Sequence, residues 1–74
     1  MQITKLVPPI NGLFSGDAIS TRGRRYKFTS TPEGEVDCQR ESWKFPMADG
    51  RSIWDVNITP PPALVRAVRE AVRS

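Results

Sequence analysis

The chemistry available to this chain is concentrated in its arginines. The stretch TRGRRYKF, residues 21–28, holds Arg22, Arg24, Arg25 and Lys27, four of the eleven basic residues, with two aromatics among them. Further on, Arg66, Arg69 and Arg73 recur at i, i+3 and i+7, along one side of a helix. A guanidinium offers five donors in a planar fork that matches the oxygens of a carboxylate or a phosphate. Arg22, Arg24, Arg66, Arg69 and Arg73 are therefore the candidate partner-binding residues. Arg25 and Lys27 have acidic residues to pair with on the strand that follows.

Other chemistry is thinly supplied. The chain has no histidine, so the commonest general base is missing. Cys38 is the single cysteine, and strand parity sets it opposite Phe28 in the core, where a thiol is structural and inert. One cysteine without histidine cannot supply a structural zinc site. Glu33, Glu35, Asp37 and Glu41 could hold a hard cation, but basic residues face them, and ion pairing explains them better. No glycine-rich phosphate loop is present. The expectation is a protein with no catalytic residues, no cofactor and no metal, hence not an enzyme.

The elements that must position the arginines come from a small chain. Seventy-four residues make one domain, 1–74. With one cysteine no intrachain disulfide can form, so packing or a partner must support a small core. The composition, 38% hydrophobic with six aromatics, excludes a disordered solvating tail. The net charge is +3 and the pI about 9.6, which is mildly basic. No stretch approaches the roughly 18 apolar residues of a membrane span, and no secretory signal opens the chain. With its free thiol, the protein is expected to be cytoplasmic.

Residues 24–30 alternate, with Tyr26 and Phe28 on one face and Arg25, Lys27 and Thr29 on the other. TPEGE, residues 31–35, is a turn, with Pro32 at a first central position and Gly34 left-handed. The register then pairs Ser30 with Val36, Phe28 with Cys38 and Tyr26 with Arg40. On the other face it pairs Thr29 with Asp37, Lys27 with Gln39 and Arg25 with Glu41. A change of parity between Cys38 and Trp43 predicts a bulge in 39–42. Asp49-Gly50 predicts a second hairpin with a third strand over 52–58. Its register pairs Phe45 with Trp54, Trp43 with Val56 and Lys44 with Asp55. TPPP, residues 59–62, breaks the sheet, and Leu64, Val65, Val68 and Val72 mark a helix over 62–73.

Residues 1–23 carry weaker signals. Residues 2–7 suit a short strand that Pro8-Pro9 ends, and 10–20 read as a loop pinned by Ile10, Leu13, Phe14 and Ile19. The fold class is α+β: a small three-stranded antiparallel β-meander over 24–58, extended to four strands if the N-terminal segment joins, with one C-terminal α-helix packed on it. The expected core is Tyr26, Phe28, Val36, Cys38, Trp43, Phe45, Trp54, Val56, Leu64, Val68 and Val72.

The order strand–strand–strand–helix over 24–73 is similar to that of the phage-integrase amino-terminal DNA-binding domains. That resemblance implies a sheet presented to the major groove with the helix behind it. The leading expectation is different: a small non-enzymatic accessory or inhibitor protein, phage-like, that binds a protein partner with an acidic surface. The alternatives are a DNA- or RNA-binding module that uses the arginines, and a small structural or assembly subunit that forms a homo-oligomer. No membrane partner is expected.

Overall fold

The computed structural model describes residues 1–42, 53–56 and 58–73. Its first hairpin is set by Asn11-Gly12. Asn11 has φ 55° and Gly12 φ 82°. Two successive positive φ values belong to a type I′ turn, whose twist matches that of the strands on either side. The turn joins β1 (Gln2–Ile10) to β2 (Leu13–Ile19). The segment expected to be a pinned loop is thus a strand at the second place in the sheet.

Pro8-Pro9 does not end β1, contrary to expectation. Proline lacks the N–H of a ladder bond, which matters little on an edge strand or at a bulge. β1 is the edge, and its register with β2 slips between Ile3 and Lys5 and again between Val7 and Ile10.

The alternation in RYKFTS gives β3 (Arg25–Ser30), and β4 (Val36–Glu41) follows the 31–35 turn. The register is the expected one, from Tyr26 opposite Arg40 to Ser30 opposite Val36. The Thr31 N–H donates to the Glu35 carbonyl at 3.1 Å and the Gly34 N–H to the Thr31 carbonyl at 3.0 Å. Gly34 has φ 96°.

The far edge differs. β5 is only Trp54–Asp55, and it pairs Asp55 with Arg40 and Trp54 with Glu41. The expected register set these two residues against Lys44 and Phe45. The strand has slid four positions toward the start of β4. An ion pair now favours this register: Arg40 Nη2 lies 3.3 Å from Asp55 Oδ2. The pairing of β3 with β4 runs without a shift through Arg40. Trp43, Lys44, Phe45 and the Asp49-Gly50 turn lie outside the described residues.

Together the strands form one antiparallel sheet in the order β1-β2-β3-β4-β5, followed by α1 (Pro62–Arg73). Pro62 begins the helix, where its missing N–H costs nothing. The Val65 N–H closes the first turn on the Pro61 carbonyl at 3.0 Å. Leu64 and Val68 are fully buried. They meet Ala18, Tyr26, Phe28 and Cys38 on one face of the sheet, with Ile3, Val36, Ile58 and Val72 around them. Each fully buried Leu or Val side chain contributes about 1.5–3 kcal/mol, enough to hold a helix too short to persist alone. Two expected core residues fall elsewhere: Val56 is 56% exposed, and Trp54 stands on the opposite face of the sheet.

Gly16 faces Phe28 across β2 and β3. A Cβ at position 16 would lie 2.8 Å from two carbons of the Phe28 ring and against the Lys5 carbonyl oxygen. Gly16→Ala is therefore expected to destabilise the protein by about 1–3 kcal/mol, the usual cost of overpacking. The readout is a lower urea midpoint at unchanged m-value. An unchanged midpoint would mean that β1, β2 and Phe28 do not meet in this way.

Candidate interaction surface

The face of the sheet turned away from α1 is polar, and register orders it into rows. Across β1 to β4 one row reads Lys5, Asp17, Lys27, Gln39, and the next Val7, Ser15, Thr29, Asp37. At one end Ile19 faces Arg25. Arg25 makes an ion pair with Glu41, and Glu41 faces Trp54. Among the described residues, the basic side chains of this face are Lys5, Arg25 and Lys27 and the acidic ones Asp17, Asp37 and Glu41, and their formal charges sum to zero. The rows floor an open recess of about 640 Å³, with Val7, Val56 and Ile58 among its lining.

Trp54 has a definite role here. The Lys27 ammonium sits 4.5 Å from the centroid of its ring, and the Arg25 guanidinium carbon 6.0 Å. A cation over the negative face of an indole is stabilised by about 0.5–1 kcal/mol at an exposed site. Lys27 thus rests on an aromatic ring, where the sequence offers it acidic residues on the strand that follows. Asn11-Gly12 signals the β1–β2 hairpin, but its register alone would set Lys5 opposite Ala18; the shift between Val7 and Ile10 is what brings Lys5 opposite Asp17 on this face. The short β5 lies within the strand expected over 52–58, but its register, which places Trp54 on this face, has no comparable signal.

The candidate arginines do not gather into one surface. Arg22 is exposed in the turn before β3, and Arg24, beside it, donates from Nε to the Glu41 carbonyl at 3.4 Å. Arg69 is at the other end of β3: its Nε–H donates to the Gly34 carbonyl at 3.0 Å and its side chain lies over Gly34. The six residues of β3, at about 3.3 Å each, put roughly 20 Å between these turns. Arg66 and Arg73 are exposed on α1. Among the described residues no ion pair joins Glu70 to either, although the helical spacing offers both. Arg69 serves the fold, clamping α1 to the β3–β4 turn.

Cys38 is buried and free of any disulfide. Burial raises its thiol pKa above the ordinary 9.0; Asp37 raises it further, and Arg40 pulls it down. Among the described residues no group of three or more His, Cys, Asp or Glu is placed to hold a metal ion. Nor, among them, is any helix long and apolar enough to cross a membrane. No family model, curated protein or solved structure matches the chain.

Two outcomes test this geometry. Phe28→Ala should cost about 3–5 kcal/mol as a core cavity. Trp54→Ala, which removes only a half-buried ring from the polar face, should cost under about 2 kcal/mol. Equal losses in chemical denaturation would return Trp54 to the core. The second outcome concerns pH. A thiol whose folded pKa is raised holds its full stabilisation below the unfolded value, and loses it as pH rises through the folded value. Stability should therefore fall more steeply above pH 9.0 in the wild type than in Cys38→Ala, measured by urea midpoints across that window.

Proposed function

We propose that this is a small non-enzymatic accessory or inhibitor protein that binds another protein through the polar face of its sheet. The observation that carries the reading is the equality of charge on that face. A surface built for a nucleic-acid backbone needs an excess of cations, because its affinity comes from phosphate neutralisation and counterion release. Lys5, Arg25 and Lys27 are matched in number by Asp17, Asp37 and Glu41. They suit a protein surface bearing both signs, where complementary charge fixes register and rejects wrong partners. The chain's net charge of +3 adds attraction toward a partner that is acidic overall. A cytoplasmic, phage or prophage setting, where small inhibitors and accessory proteins are frequent, belongs to the same proposal.

The test places a bulky cation at the centre of the recess. Thr29 is exposed there, so Thr29→Arg should leave the thermal melt unchanged. Partner proteins captured by the wild type and quantified by mass spectrometry should be lost by about tenfold or more, a change of about 1.4 kcal/mol. In parallel, fluorescence anisotropy with labelled duplex and single-stranded DNA and RNA should show no saturable binding at physiological salt. Nucleic-acid binding that weakens steeply with salt and disappears in Arg22→Glu/Arg66→Glu would replace the protein-binding reading.

A further inference from the structure

The turn between β2 and β3 encloses a second cavity, which the recess does not use. The turn is tied by three hydrogen bonds. The Ser20 N–H donates to the Arg24 carbonyl at 2.8 Å, and the Gly23 N–H to the Ser20 carbonyl at 2.9 Å. The Arg24 N–H donates to Ser20 Oγ at 3.0 Å. These bonds leave donors over. The N–H groups of Thr21 and Arg22 make no hydrogen bond among the described residues. Ser20 Oγ accepts from Arg24 and keeps its own O–H to donate.

The cavity holds about 260 Å³ and is lined by Ser20, Thr21, Arg22, Arg24 and Tyr26. Its charged lining is wholly basic. Arg22 makes no hydrogen bond or ion pair among the described residues. Arg24 is held in place by its Nε–H bond to the Glu41 carbonyl. Guanidinium forks, hydroxyls and backbone N–H groups around one small concavity are the parts of an oxyanion site.

We propose that this cavity is an oxyanion subsite that seats a side-chain carboxylate of the partner protein. The proposal rests on the protein-binding reading above and names the chemistry of one of its contacts. A carboxylate suits the site better than a nucleic-acid backbone. A backbone needs a continuous track of cations, whereas this cavity is single. Arg69 of the candidate set is engaged with Gly34 at the other end of β3. One carboxylate, by contrast, needs one fork and a few aligned donors.

The experiment is a titration of isotopically labelled protein with a hexaglutamate peptide at low salt, followed by NMR. Inorganic phosphate and a short DNA duplex are titrated in parallel. The expected result is saturable shifts of the Thr21 and Arg22 amides and the Arg24 Nε–H, with Arg66 and Arg73 unmoved. Arg22→Gln should weaken the peptide about tenfold, the loss of one charge-assisted hydrogen bond, without lowering the melting temperature. Arg66→Gln/Arg73→Gln should leave peptide binding unchanged. The proposal is overturned by the absence of saturable shifts, by equal shifts at all the exposed arginines, or by tighter binding of phosphate or duplex than of peptide. The two proposals separate because Thr29 lies on the other face. A partner retained by Arg22→Gln and lost by Thr29→Arg overturns the subsite and leaves the protein-binding reading standing. A partner lost with both variants supports the two together.

Discussion

The fold depends on the Phe28 ring lying over Gly16. β3 is the middle strand, and Phe28 is in the middle of its buried face, opposite Gly16 on one side and Cys38 on the other. Only a residue without a side chain lets the ring settle against β2, and the same absence lets the Lys5 carbonyl approach from β1. A single aromatic–glycine contact thus draws β1, β2 and β3 together. With Tyr26 and Ala18 it also makes the floor on which Leu64 and Val68 land. A domain of 74 residues has about 4–11 kcal/mol of stability in all, so one such contact is a large fraction of it.

That contact also decides which face is free. Because side chains alternate along a strand, seating Phe28 and Tyr26 against α1 sends Arg25, Lys27 and Thr29 to the other side. The neighbours in register then supply Asp17 from β2 and Asp37 and Glu41 from β4. The polar face is a consequence of the core. Its neutrality is not: five strands could have carried any set of charges outward. The alternation of sign from strand to strand stabilises the sheet through cross-strand pairs and, in the proposed role, would make the surface selective toward a partner's own pattern.

How far the sequence shows this structure varies along the chain, for physical reasons. The β3–β4 hairpin is legible because three constraints agree: a period of two in RYKFTS, a glycine at the left-handed turn position, and opposite charges at Arg25 and Glu41. β1 is read too short and β2 is missed although Asn11-Gly12 is a strong hairpin signal, because Pro8-Pro9 suggests a break and the bulges blur the alternation of β1. Only the edge position of the strand makes those prolines tolerable. The error at β5 is of another kind. Trp54 counts as core by its hydrophobicity, yet its ring carries Lys27 on a polar face, a use of an aromatic that composition does not reveal. The arginines, grouped by sequence, separate in space. Arg69 is engaged at one end of β3, while Arg22 and Arg24 flank a cavity at the other.

The separation bears on what the chain can recognise. Five arginines on one surface would attract any polyanion without discrimination, since phosphate neutralisation is additive and blind to sequence. Spread to opposite ends of β3 and onto α1, the same charges leave a weak general field. Inside that field one face, among the described residues, is balanced in charge and patterned, and one small cavity has a basic charged lining. In the proposed role, affinity for a partner would then come from local fit more than from net charge. Such binding is less sensitive to salt, because short-range pairs partly shielded from water are screened less than exposed ones. A chain with too small a core to carry moving parts gains selectivity most directly in this way, by fixing a few polar groups on a rigid sheet before the partner arrives.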